Sequence, residues 1–139
     1  MILARHALET TAGGEAVWRR WVDVATWPSW DPSLEQAAIH GPFQVGTTLD
    51  LAAPGRGPTT WRIATLDPHT SFTCEARLPG ARLRAVRSLE ECPMGTRVTQ
   101  RFDIEGPLAW LHVLLLRESA AHSLPSALRA LARSAEHPL

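Results

Sequence analysis

Arg87 and Gln100 are the two side chains of this sequence whose types and spacing most clearly predict chemistry. They are symmetric about the turn signal at Pro93-Met94, so in an antiparallel hairpin they face each other across two strands. A guanidinium beside an amide donor can bind a carboxylate, a phenolate or an enolate oxygen. A second interpretation stays open, in which Arg87 extends out of the interior or pairs with Glu118.

Aromatic residues align with this pair under the same arithmetic. Symmetric turns place Ile63 opposite Phe72, and Phe72 opposite Arg87. Two residues further along each strand, and therefore on the same face of the sheet, the register aligns a second row formed by Trp61, Cys74, Ala85 and Phe102. Phe72, Trp61 and Phe102 are therefore predicted to face a ligand, although Trp61 is equally well explained as plain core. Cys74 is predicted to be a small buried apolar residue.

His122 is a candidate general base on a long C-terminal helix. A helical wheel places it on one stripe with Leu111, Leu115 and Glu118, which we expect to face the interior. The alternative is a capped or solvated histidine. No catalytic residue is assigned from the sequence.

A curved antiparallel sheet must position these residues. Gly13-Gly14 ends a first strand at 2–9, and a short helix at 15–24 is followed by at most one further turn at 25–30. Glycine and proline then divide the chain into extended segments at about 34–40, 47–53, 59–66, 70–78, 81–91 and 96–105. Pro107 starts a long helix that continues to about Glu136, with a kink expected at Pro125.

The opposite face of the predicted sheet carries charge pairs, which supports the register. Glu75 aligns with Arg84, and Glu90 aligns with Arg97. The same register separates Cys74 from Cys92, so no intrachain disulfide is expected, and a reducing compartment is indicated.

Composition excludes several function classes. The 139 residues predict one domain, 1–139, and the formal net charge of zero argues against a nucleic-acid or anionic-membrane partner. All fourteen basic residues are arginines, and tyrosine is absent, which excludes a Schiff-base lysine and a tyrosine acid. Cysteine and histidine spacing predicts no metal site. The N-terminus is typical of a strand, not of a signal peptide, so a cytoplasmic location is predicted.

Four of the six tryptophans lie within thirteen residues, in Trp18-Arg-Arg-Trp21 and Trp27-Pro-Ser-Trp30-Asp-Pro32. The second motif resembles the START-like SRPBCC superfamily, particularly its polyketide cyclase/dehydrase-like branch. So do Gly41-Pro-Phe-x-x-Gly46, Gly95-Thr-Arg-Val-Thr99 leading to Gly106-Pro-Leu108, and the ending at 124–136. The resemblance implies an α+β helix-grip fold of the START/Bet v 1-like type. In this fold a curved seven-stranded antiparallel sheet surrounds a long C-terminal helix, with two short helices after strand 1.

The resemblance also implies an internal cavity that binds a hydrophobic or aromatic small molecule. Trp27 and Trp30 are predicted to be structural and to pack the short helices across the open end of the sheet. The alternative function is that of a polyketide cyclase, aromatase or dehydratase, which orients its substrate and polarises a carbonyl without a metal or nucleotide cofactor. In that branch an inward-facing arginine lies on the strand before a Thr-Leu-Asp-Pro turn, which is Thr65-Leu-Asp-Pro68 in this sequence. The only arginine on that strand is Arg62, and the alternation of side chains along the strand predicts that it points outward. This difference weakens the alternative function. The protein is expected to be a monomer or a homodimer.

Overall fold

The computed structural model describes residues 1–136 and confirms the predicted helix-grip architecture. Seven strands form one antiparallel sheet in the order β1-β7-β6-β5-β4-β3-β2. The strands are β1 (Ile2–Thr10), β2 (Gln36–Ile39), β3 (Thr48–Ala52), β4 (Thr59–Asp67), β5 (Ser71–Leu78), β6 (Ala81–Cys92) and β7 (Gly95–Glu105). The helices are α1 (Gly14–Val22), α2 (Trp27–Trp30) and α3 (Ala109–Glu136), with a 3₁₀ turn at Val24–Thr26. The last residues of the predicted domain, 137–139, lie outside the described residues.

Two glycines set the junction between the sheet and α3. Gly106 has a φ of 125°, and a Cβ there would lie 2.6 Å from the backbone oxygen of Gly80. Gly80 itself has a φ of 67° in the turn between β5 and β6. Only residues without a side chain tolerate both the left-handed conformation and this close approach. The chain can therefore leave β7 and begin α3 directly above the β5–β6 turn.

The registers across β5, β6 and β7 agree with the sequence prediction. Phe72 pairs with Arg87, and Arg87 pairs with Gln100. In the neighbouring row, Ala85 lies between Cys74 and Phe102. The turns at Pro79-Gly80 and Pro93-Met94 are short, so each fixes its hairpin register tightly.

The predicted β4–β5 register is wrong by three residues next to the turn and by two residues beyond the bulge. Ile63 pairs with Cys74 instead of Phe72, and Trp61 pairs with Ala76 instead of Cys74. The connection after Asp67 is longer than a two-residue turn, and a bulge interrupts β4 between Ile63 and Thr65. A shift of two residues preserves the face of each side chain, so Ile63 and Cys74 are still buried.

The tryptophan-rich segment forms one end of the core. Trp18, Trp21 and Trp27 are buried and pack around Phe72, with centroid distances of 6.1, 5.4 and 6.5 Å. The indole Nε1 of Trp27 donates to the backbone oxygens of Arg20 and Trp21, at 3.1 Å each. These bonds attach α2 to α1, so Trp27 has a structural role in addition to any contact with a ligand.

The inward stripe predicted for α3 is wrong. Leu111, Leu115, Glu118 and His122 are exposed. The buried positions of α3 lie mainly in its second half and are Ala109, Ala120, Leu124, Ala127, Leu128, Leu131, Ala132 and Ala135. Alanines at this spacing let the helix backbone approach the sheet closely, and the helix passes through Pro125 without ending. No helix within residues 1–136 has the length and apolarity needed to cross a membrane.

Candidate functional site

A cavity of about 210 Å³ lies between the concave face of the sheet, α3 and the chain after α2. Its polar wall consists of Asp31, Ser33, Thr59, Arg87, Gln100 and Ser123. Its apolar wall consists of Leu34, Leu51, Ala53, Trp61, Cys74, Phe102, Leu124 and Ala127. A few polar groups in a mainly apolar wall are typical of a small-molecule site. The volume is below the usual range of about 300–1,000 Å³ but exceeds the ~150 Å³ that holds benzene.

Arg87 is the only cation that residues 1–136 contribute to this wall. It projects from β6, and its Cζ atom lies 5.1 Å from the ring centroid of Trp27 and 5.3 Å from that of Phe72. Two aromatic rings therefore hold the guanidinium by cation–π contacts. These contacts orient the group but supply no acceptor for its N–H donors.

The charge of Arg87 is not neutralised by an ion pair. Within residues 1–136 its guanidinium forms no salt bridge. Burial lowers the pKa of Arg87, while the nearby Cys74 and Asp31 act in the opposite direction. Arginine remains protonated in proteins, so the cavity contains a half-buried positive charge with reduced access to water. Such a site favours an anion that can accept several hydrogen bonds.

Gln100 adds an amide to the same region of the wall. It lies on β7 directly opposite Arg87, and its side chain is only 7% exposed. Both side chains line the cavity. A guanidinium and an amide side by side can hold both oxygens of a carboxylate or one developing oxyanion.

Among the residues that the structure describes, Asp31 is the one acidic residue in the wall. Its Oδ1 atom accepts hydrogen bonds from the backbone N–H and the hydroxyl of Ser33, at 2.9 and 2.6 Å. These bonds fix the carboxylate at the end of α2, within electrostatic range of Arg87. The cavity therefore contains a cation, an amide and a carboxylate.

Cys74 is 1% exposed, and burial is the main cause of the raised pKa of its thiol. A protonated thiol is a poor nucleophile, so Cys74 contributes shape and not covalent chemistry.

A metal site was the other chemistry to consider. Within residues 1–136, no group of three histidine, cysteine or acidic side chains lies close enough together to hold a metal ion.

The structure brings four of the six predicted ligand-binding residues to the cavity wall: Trp61, Arg87, Gln100 and Phe102. Phe72 is fully buried and lies against Arg87 without lining the cavity. His122 is exposed and does not line it, because α3 presents Ser123, Leu124 and Ala127 instead. Sequence reasoning missed Asp31, although the Trp30-Asp31-Pro32 motif marks it as the residue that ends α2.

A larger groove of about 780 Å³ lies at the ends of β4, β5 and β6. Arg62, Glu75, Arg77 and Arg82 account for much of its lining, and Trp61 borders both spaces. Charged and exposed walls suit water better than a hydrophobic ligand, so the smaller internal cavity is the candidate ligand site.

Comparison with known families gives one match along almost the whole chain. A family described as "Polyketide cyclase / dehydrase and lipid transport" matches residues 1–136. A search of curated proteins gave no match.

Solved structures share the fold at low sequence identity. Protein MLL2253 from Mesorhizobium loti superposes with a TM-score of 0.76 at 13% identity, with 98% of each chain covered. The di-domain ARO/CYC protein StfQ from the steffimycin biosynthetic pathway gives 0.75 at 14% identity, covering 98% of this chain and 51% of that protein. Ara h 8.0201 gives 0.68 at 12% identity, with 96% of each chain covered. At these identities the likeness establishes the fold alone.

Proposed function

Because the chain belongs to the polyketide cyclase / dehydrase and lipid transport family, we propose that it binds a small aromatic carboxylic acid, or a similar amphipathic anion, in its internal cavity. The observation that carries the proposal is Arg87, an arginine of the cavity wall that forms no ion pair within residues 1–136. A bound carboxylate would neutralise that charge, and the apolar wall would enclose the ring.

The cavity size limits the ligand. A volume of about 210 Å³ suits one or two fused rings and is smaller than a multi-ring polyketide requires. Trp61 and Phe102 offer aromatic surfaces on which a flat ring can stack. Phe72 does not line the cavity, but its ring contacts the guanidinium of Arg87 and holds it in place.

Calorimetric titration with 1-naphthoic acid and 1-naphthamide tests the proposal, because the two probes have similar shape and differ in charge. We expect the acid to bind at least tenfold more tightly than the amide, since charge-assisted hydrogen bonds are the stronger kind. Arg87→Leu should remove this preference. The control is Arg129→Leu, which deletes an exposed arginine of α3 that does not line the cavity. Equal affinity for both probes in the wild-type protein would refute a role for Arg87 as an anion anchor.

A second candidate function is a dehydratase or cyclase, which the grouping of Asp31, Arg87 and Gln100 favours. In a dehydration, Arg87 and Gln100 would hold the carbonyl oxygen of a β-hydroxy ketone while Asp31 removed the α-proton. The C–O bond would then break, and the hydroxyl would leave as water by taking the proton that Asp31 had removed. Absorbance at the enone band during incubation with 4-hydroxy-4-phenylbutan-2-one measures this activity. A rate no higher than that of Asp31→Asn would exclude Asp31 as the base.

We also propose a cytoplasmic location. Cys74 and Cys92 are both free, as expected for a chain in a reducing compartment.

A further inference from the structure

A strip of exposed apolar side chains runs along the first turns of α3. Trp110, Leu111, Leu114 and Leu115 are 56%, 37%, 72% and 69% exposed, and Leu108 just before the helix is 39% exposed. We call these five residues the α3 strip. Single exposed apolar residues are normal on a soluble protein, but a continuous group marks an interaction surface.

The fold fixes the α3 strip outward. Positions 110, 111, 114 and 115 share one face of a helix, because residues four apart are neighbours on its surface. The inner side of these turns is occupied, since Val113 and Leu116 pack against a cluster that contains Leu3 and Ile104. His112 also attaches the helix to the β5–β6 turn, with Nε2 2.7 Å from the oxygen of Pro79. The first turns of α3 are thus apolar on both sides, whereas the second half directs Arg129 and Arg133 to solvent.

We propose that two copies of this chain form a symmetric dimer by packing the α3 strip of one copy against that of the other. A large apolar side chain exposes up to about 150–250 Å² when free, so the fractional exposures leave roughly 500 Å² of the strip uncovered per chain. A two-fold contact that covered both strips completely would bury about 1,000 Å² from these side chains, which is close to the lower bound for a biological interface. The proposal is independent of the ligand-binding function.

The sequence of the α3 strip suits contact with a copy of itself. A two-fold axis between residues 112 and 113 places Trp110 of one copy against Leu115 of the other, and Leu111 against Leu114. No aspartate, glutamate or arginine occurs at 106–116, so the contact buries no formal charge.

A membrane surface is the less suitable occupant. Helices that lie on anionic membranes carry an excess of lysine or arginine beside their apolar face. Here Arg117 is followed directly by Glu118, and the chain has no net charge. A second copy needs no such excess, so the charge distribution favours the dimer.

Sedimentation equilibrium of the full chain over about 1–100 μM tests the dimer, because weak and transient contacts lie at the small end of the range of interface sizes. The wild-type protein should approach dimer mass at the upper end of the range. Leu114→Glu should weaken association at least tenfold, because it places two carboxylates in the contact. Val45→Glu is the matched control, since Val45 is 58% exposed and lies outside α3, and it should dimerise like the wild type.

Circular dichroism verifies that each variant is folded, and Leu115→Ala provides a milder change if Leu114→Glu unfolds the chain. A wild-type protein that is monomeric at 100 μM overturns the proposal, whether or not it then sediments with phosphatidylglycerol vesicles or another protein. A dimer that persists unchanged in folded Leu114→Glu or Leu115→Ala overturns it as well.

Discussion

Replacing Arg87 by leucine should stabilise the empty protein and abolish its preference for acids. Arg87 is a half-buried cation without an ion pair among the described residues, so the folded state carries an electrostatic cost. Replacing a buried ion pair by apolar side chains is often neutral or stabilises a protein by about 1–4 kcal/mol, and Arg87 lacks even the compensation of a paired carboxylate in the described part of the chain. A protein that must bind an anion at this site keeps the unpaired arginine, and the empty protein is therefore less stable than it could be.

The Arg87→Leu substitution also removes two stabilising features, and both reduce the expected gain in the free energy of unfolding. Leucine forfeits the cation–π contacts with Trp27 and Phe72, which are worth about 0.5–1 kcal/mol each where water has access. It is also shorter than arginine and leaves extra space next to the cavity. We therefore expect a net gain of about 1 kcal/mol in the free energy of unfolding, which raises the melting temperature by about 3–5 °C.

Scanning calorimetry of Arg87→Leu and Arg129→Leu, each with and without 1-naphthoic acid, measures both effects. The acid should raise the melting temperature of the wild type and of Arg129→Leu, but not that of Arg87→Leu. A melting temperature that falls by several degrees in ligand-free Arg87→Leu would refute the reasoning, because it would show that the charge contributes to folding.

Three further outcomes follow from the structure. Iodoacetamide should label Cys92 of the native protein and leave Cys74 unmodified at pH 8, because burial raises the pKa of the Cys74 thiol; equal labelling would contradict this burial. Gly106→Ala should destabilise the fold by about 2–4 kcal/mol in urea denaturation, since its φ is 125° and its Cβ would meet the Gly80 oxygen; a loss below about 0.5 kcal/mol would disprove the close approach. Hydrogen bonds from Thr60 and His40 lower the pKa of Asp50 below its unfolded value, so its contribution to stability is present above the unfolded pKa and is lost as the pH falls through the folded pKa. Asp50→Asn should therefore show less loss of stability in acid, measured as melting temperature against pH, and a profile identical to that of the wild type would contradict this contribution.

The sequence predicted the central hairpins well because short turns control them. The Pro79-Gly80 and Pro93-Met94 turns leave one register in which apolar side chains share a face, and this register pairs Arg87 with Gln100. The β4–β5 hairpin was harder, because a bulge near Ala64 and the longer connection after Asp67 leave no clear signal in the sequence.

The residues that α3 contributes to the cavity could not be predicted from the hydrophobic periodicity of the helix. The first half of α3 is apolar on both sides, so a helical wheel offers two stripes and cannot identify the one that meets the sheet. This ambiguity led to the assignment of His122 to the interior, whereas Ser123 and Ala127 line the cavity. Asp31 was missed for a different reason, since its position beside Arg87 depends on how α2 packs across the sheet.

A crystal structure of the wild-type protein grown with 1-naphthoic acid tests the central claim most directly. We expect the ring between Trp61 and Phe102, and the carboxylate oxygens at about 2.7–2.9 Å from the guanidinium nitrogens of Arg87. An empty cavity at saturating ligand, or a bound acid whose carboxylate points away from Arg87 to solvent, would contradict the account.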